Sequence, residues 1–126
     1  MSVQECVCFV LTTDDQVLFE HRWADDKTGT AAINIPGGHI KPDESHIQAL
    51  KREVEEELSV IPLSYKFLGS HPFAASPDQM LHYYLVDKWA GEVMALEAQD
   101  VEWVKPSHKL SISEADKKAL VAAELM

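Results

Sequence analysis

Between Asp43 and Glu57 the chain carries six acids, Asp43, Glu44, Glu53, Glu55, Glu56 and Glu57, against only Lys51 and Arg52. On a helix, at ~100° per residue, Glu53, Glu56 and Glu57 fall within an arc of about 100°, so three carboxylates crowd one edge. Like charges at i,i+3 and i,i+4 each destabilise a helix by a few tenths of a kcal/mol, and a sequence shaped for helix stability would interleave lysines. A solvated polar face is the plain explanation. The chemical one is that carboxylates at this spacing on a rigid support can hold a hard divalent cation, Mg²⁺ or Mn²⁺ in its place. Phosphoryl transfer needs such a cation to neutralise the phosphate oxygens and keep nucleophile and leaving oxygen in line. Arg52 can pair with Glu44 or Glu53 and fix a carboxylate rotamer through a charge-assisted bond. Gly37 and Gly38 allow close backbone approach to an ion or ligand and can offer a carbonyl nearby.

The order of these residues is specific. Gly38, five residues, Glu44, seven residues, then Arg52-Glu53-Val54-Glu55-Glu56-Glu57-Leu58-Ser59-Val60 resembles the signature of the Nudix hydrolases, G-x5-E-x7-R-E-U-x-E-E-x-G-U with U apolar. Six fixed positions match in register, on the order of one chance in ten million per starting point at typical residue frequencies. Ser59 stands where the family has Gly. That position follows a helix, where an αL residue is common, so Ser carries a conformational cost there and bears on the loop rather than on the carboxylates. Farther on, Leu85-Val86-Asp87-Lys88-Trp89-Ala90-Gly91-Glu92 and Glu97-Ala98-Gln99-Asp100-Val101-Glu102-Trp103 are similar to the L-V-x-x-W-x-G-E and E-x-Q-x-x-E-W segments of MutT-type nucleoside triphosphate diphosphatases.

The resemblance implies a fold, a reaction and a set of site residues. The fold is an α/β/α sandwich with a mixed β-sheet between helices, a single domain over residues 1–126. The reaction is Mg²⁺-dependent hydrolysis of a canonical or oxidised (deoxy)nucleoside triphosphate to monophosphate and pyrophosphate. Metal ligands map to the Gly37 carbonyl, Glu53, Glu56 and Glu57, with Glu97 a further ligand or base, or an ordinary loop acid. Arg52 organises the carboxylates, and Glu53 or Glu97 takes the proton of the attacking water. Arg22 clamps a phosphate oxygen or is a plain surface arginine. Asp116 corresponds to the position that contacts the base edge. An Asp there accepts from an amino group, as on cytosine or a guanine form, although an acid in a first helical turn also simply complements the helix dipole. Phe73 or Trp23 can stack on the base or pack in the core. Another diphosphate-linked nucleoside, such as ADP-ribose or a dinucleoside polyphosphate, is the alternative substrate, and Ser76-Pro77 is faintly similar to the proline of ADP-ribose-splitting members. A non-catalytic sensor of the same fold has no need of the intact acids.

The elements that must position these groups can be read from patterning. Residues 3–11 and 16–21 are apolar and β-branched around Thr12-Thr13-Asp14-Asp15, a hairpin. A polar loop over residues 24–30 and a run over residues 31–35 lead to Pro36-Gly37-Gly38, a breaker. Ser45-His46-Ile47-Gln48 fits a capping box for a helix over residues 45–58, with Ile47, Leu50, Val54 and Leu58 on one face and Pro62 ending the segment. Residues 63–70, 79–86 and 101–104 read as strands, the second running on to a turn at Gly91, and residues 113–125 as a helix with Ala119 and Leu120 inward. Strands mixed with two helices imply one layered α/β domain.

Composition agrees. The 126 residues, 46% of them apolar, suit one globular core. Eleven Lys and Arg against 21 Asp and Glu leave a net charge of −10, which repels polymeric nucleic acid and anionic membranes but admits a small nucleotide arriving with its cation. Residues 1–5 carry no basic n-region and no apolar run approaches the ~18 residues of a membrane span, so a cytoplasmic monomer or homodimer is expected. Cys6 and Cys8 lie two apart on one face of a strand, as small core hydrophobes.

Overall fold

A computed structural model describes residues 3–21, 33–74, 77–98, 100–107 and 110–126. The first apolar run is β1 (Gln4–Thr13), turned at Asp14 (φ 52°) into β2 (Gln16–His21). Short strands β3 (Ile33–Asn34) and β4 (Gly37–His39) precede α1 (His46–Leu58), followed by β5 (Ile61–Phe73), β6 (Gln79–Ala90), β7 (Asp100–Val104) and α2 (Glu114–Ala122). The main path of the sheet is β3-β2-β1-β6-β5, with β4 paired to β1 and β7 to β2. β1 lies parallel to β6, from Gln4 opposite Gln79 to Leu11 opposite Val86, while its other pairings are antiparallel. The sheet is therefore mixed, as expected.

β1 shows why there is a layer on each face. Its residues from Cys6 to Leu11 are all buried, the pattern of a strand covered on both sides rather than one. Cys6, Cys8 and Val10 join Phe19, Tyr83 and the α2 residues Ala115, Ala119 and Leu120 in one apolar cluster. The alternate residues Val7, Phe9 and Leu11 join Leu18, Val86 and the α1 residues Leu50, Val54 and Leu58 in the other. Helix, sheet, helix is the α/β/α sandwich that the resemblance implies.

α1 begins as its sequence directs: Ser45 Oγ accepts from the Gln48 N–H and Gln48 Oε1 accepts from the Ser45 N–H, a closed capping box. It ends at Leu58, as expected. Pro62 does not stop it; Ser59 does, in the αL conformation (φ 64°, ψ 24°) with its N–H donating to the Glu55 carbonyl. Pro62 instead sits inside β5, opposite Trp89, and β5 absorbs it and Gly69 through register shifts next to each. β5 and β6 are for that reason longer than the apolar runs suggest. Pro36-Gly37-Gly38 is likewise not a breaker throughout, since Gly37 and Gly38 form β4 against Cys8 and Val7. Their freedom is used for close approach: a Cβ on Gly37 would lie 2.6 Å from the Val7 carbonyl oxygen, and one on Gly38 would overlap the Glu53 carboxylate. α2 stops at Ala122, short of the expected residue 125, though Leu125 still packs on the core. No helix among the described residues is long and apolar enough to cross a membrane.

Candidate metal and nucleotide site

The apolar face of α1 fixes the rotation of the helix on the sheet and hence the direction of its acids. Glu53, one residue before the buried Val54, is itself only 8% exposed and lies over Gly38 of β4. Arg52 braces it. The guanidinium donates through Nε and Nη2 to both oxygens of Glu44 (2.6 and 2.7 Å) and through Nη1 to Glu53 Oε1 (2.7 Å) and Glu56 Oε2 (3.1 Å). Nη2 also donates to the His39 carbonyl at 2.9 Å, tying helix to β4. The choice between Glu44 and Glu53 thus resolves as both. The paired hydrogen bonds from Arg52, with a further one from the Lys41 N–H, pull the Glu44 carboxyl down to about 2. Those to Glu44 and Glu53 hold Arg52 firmly in its charged form.

The C-terminal end of α1 positions the other acid. Carbonyls in the last turn of a helix lack partners within it. Here the loop after β6 supplies two: the Met94 N–H donates to the Leu58 carbonyl (2.9 Å) and the Leu96 N–H to the Glu57 carbonyl (3.0 Å). That backbone zipper sets Glu97 beside the helix. Carboxylate oxygens of Glu53, Glu57 and Glu97 all lie within 4.8 Å of one another. Three converging hard oxygen donors, one buried and braced, fit a hard divalent cation such as Mg²⁺. Glu56 falls outside this trio; it is 47% exposed at the side chain and engaged by Arg52. Gly37 lies in β4 beside Gly38, at the floor of the same region.

From that floor a cavity of about 1040 Å³ extends under the sheet's edge to the start of α2, with Gly37, Gly38, Asn34, Phe73 and Asp116 among its walls. Phe73, 39% exposed, is one of these walls. Asp116 is 4% exposed. Its N–H donates to Ser113 Oγ, an ordinary N-cap bond, but its carboxylate turns away from the helix: Oδ1 accepts from the Tyr83 hydroxyl (2.5 Å) and Oδ2 from the Ile35 N–H (3.1 Å). Asp116 is therefore both a first-turn acid and a wall of the cavity. Cys6 and Cys8 are buried core residues as expected, and also line this cavity. Burial first, then the negative charge of Asp116, raises the Cys8 thiol well above its usual value, so it remains a neutral wall.

Arg22, Trp23 and Ser76 lie outside the described residues. Sequence reasoning missed Asn34 as a wall of the cavity, and missed the Tyr83 hydroxyl and the Ile35 N–H, which hold the Asp116 carboxylate from behind. Tyr83 reads as one more apolar residue of a strand, and only the pairing that sets it opposite Cys8 brings it to the α2 face.

Residues 3–124 match the family model described as the NUDIX domain. Among curated proteins the chain is 32% identical over 112 residues to a CTP pyrophosphohydrolase of Escherichia coli K12, covering 87% of this chain and 82% of that protein. It is 34% identical over 76 residues to an 8-oxo-dGTP diphosphatase of Haemophilus influenzae, a stretch covering 59% of this chain and 55% of that protein's length. Among solved structures, the solution structure of the E. coli ORF135 protein superposes with a TM-score of 0.83 at 29% identity, over 98% of this chain and 90% of that one.

Proposed function

The chain belongs to the Nudix family of hydrolases, and from that premise we propose that it hydrolyses a (deoxy)nucleoside triphosphate to the monophosphate and pyrophosphate, favouring an amino-bearing base. The observation that carries the reading is the continuity of one cavity from Gly38, beneath the Glu53 carboxylate, to Asp116. A polyphosphate at one end places its base at the other.

Glu53, Glu57 and Glu97 would hold the divalent cation, Mg²⁺ or Mn²⁺, with the Gly37 carbonyl and Glu56 as further ligands mapped from the family pattern. Bound there, the cation neutralises phosphate oxygens and makes phosphorus more open to attack. Arg52 keeps the Glu53 carboxylate in one rotamer, which matters because small misplacements of reacting groups are costly in rate. Glu53 or Glu97 accepts the proton of the attacking water, the phosphoanhydride bond breaks, and pyrophosphate leaves. Arg22 clamps a phosphate oxygen. Phe73 stacks on the base, and Asp116 accepts from its amino group. The likeness to a CTP pyrophosphohydrolase over most of both chains supports cytosine ahead of guanine. The protein acts in the cytoplasm on a free nucleotide.

A panel of CTP, UTP, 8-oxo-dGTP and ADP-ribose, each with Mg²⁺ and scored for pyrophosphate against phosphate, tests this. Pyrophosphate from CTP at the highest kcat/KM is expected. Turnover confined to ADP-ribose, or tight binding of one nucleotide with no turnover of any, would overturn it.

A further inference from the structure

The carboxylate of Asp116 is held by more than its own helix. Its two oxygens accept from donors far apart in the chain, the Tyr83 hydroxyl of β6 and the Ile35 backbone just after β3. Ser113 adds a local tie, because its side-chain oxygen accepts from the Asp116 N–H. Two donors on separate oxygens fix both side-chain torsions of an Asp. They also fix its hydrogen-bonding character: a carboxylate that already accepts at both oxygens meets a ligand as an acceptor. Tyr83 is fully buried, and burial, with Asp116 and Cys8 nearby, keeps its hydroxyl protonated and a donor throughout the working pH range. The ring packs in the apolar cluster under α2, so its packing does not depend on the hydroxyl.

We infer that Tyr83 is a positioning residue for base choice: its hydroxyl, acting with the Ile35 N–H, holds the Asp116 carboxylate as a fixed acceptor and so selects an amino-bearing base edge over a keto-bearing one. This rests on the reading that Asp116 faces the base. Tyr83 touches no substrate and acts through Asp116. The same lock makes a second, opposite outcome for an amide. With Asn at 116, the Ile35 N–H still requires an oxygen, which turns the amide nitrogen toward Tyr83. The phenol oxygen can accept one amide hydrogen, and the other points into the cavity as a donor suited to a keto oxygen.

The test is kcat and KM for CTP and UTP with saturating Mg²⁺, for the full chain and for Tyr83→Phe and Asp116→Asn. The native protein is expected to prefer CTP. Tyr83→Phe should lower that preference about tenfold, the scale of one hydrogen bond to a charged group, through KM for CTP, with kcat and the UTP constants unchanged. Asp116→Asn should reverse the preference toward UTP rather than merely lose activity, a readout that stands even if Tyr83→Phe does not fold. An unchanged CTP-to-UTP ratio in folded Tyr83→Phe overturns the role of Tyr83 alone, provided Asp116→Asn alters the ratio. If Asp116→Asn leaves the ratio unchanged, the reading of Asp116 fails and the inference with it. Equal loss on both nucleotides in Asp116→Asn also overturns the lock.

Discussion

Around Arg52 the carboxylate partners all come from one stretch of chain, whereas the donors to the Asp116 carboxylate come from distant ones. Arg52 reaches Glu53 and Glu56, one and four residues on, and Glu44, eight residues back. Asp116 meets Tyr83 across 33 residues and Ile35 across 81. The first set is arranged by helical periodicity and a capped helix start, the second only by the register of a mixed sheet. A local arrangement can be tuned by substituting its own residues, while a non-local one is inherited from the packing of α2 on β1 and β6. The two ends should therefore fail differently: substitutions at the first change turnover, and those at the second change which base is accepted.

The largest effect that could break this division is at the carboxylates. Glu53→Gln or Glu57→Gln should lower kcat by roughly 10²–10⁴-fold, the range for a lost proton-transfer or charge-stabilising group, with the CTP-to-UTP ratio unchanged. Glu56→Gln, outside the trio, should cost about tenfold or less. Equal losses at all three positions would show that the trio is not the functional unit. Next comes Gly38→Ala, whose methyl would occupy the place of the Glu53 carboxylate. A displacement of about 1 Å there is expected to cost about 10² in kcat, read in the same assay, with far-ultraviolet circular dichroism reporting an intact fold.

Smaller effects are in stability. Ser59 is held at a positive φ of 64°, so Ser59→Gly should stabilise the protein by about 0.5–1 kcal/mol, the αL penalty of a side chain less the backbone entropy of Gly. Denaturant unfolding measures it, and a destabilised variant would contradict it. The smallest effect is in pH. His82 of β6 sits among Ser70 of β5, Glu5 of β1, and His46 of α1 with its ring at 4.2 Å. Burial, and then His46, lower its imidazole below the ordinary value, with Glu5 opposing. The unfolded chain then binds this proton at a higher pH than the folded one does. Stability is complete above about pH 6.5 and declines as pH falls through the window down to the lowered folded value. Thermal melts from pH 8 to 5 should show the decline, and His82→Gln should flatten it. Glu44 contributes only below that range, because its carboxyl is ionised in both states above about 4.5 and its stabilisation is lost as pH falls from there to about 2.

How much of this was legible follows the same division. The capping box at Ser45, the apolar face of α1, the pairing of Arg52 with Glu44 or Glu53, and the αL stress at Ser59 are all read from neighbours along the chain. So was the strand at residues 3–11, although its burial on both faces emerges only from the structure. Where expectation failed, a residue's local tendency was overridden by strand pairing. Pro62 and the two glycines of β4 look like breakers but are held in the sheet, Pro62 beside a register shift and the glycines because larger residues would collide. Tyr83 went unnoticed since nothing in Leu81-His82-Tyr83-Tyr84 distinguishes a structural ring from one whose hydroxyl is used. Glu97 was found by segment likeness, while the reason for its place, the zipper of Met94 and Leu96 onto the end of α1, needs the structure.

Product analysis with CTP and Mg²⁺ tests the central claim most directly. The native protein should release one pyrophosphate for each CMP formed, with no free phosphate, and Glu57→Gln should abolish nearly all of that release at saturating Mg²⁺. Phosphate as the first product, or near-native turnover by Glu57→Gln, would contradict it.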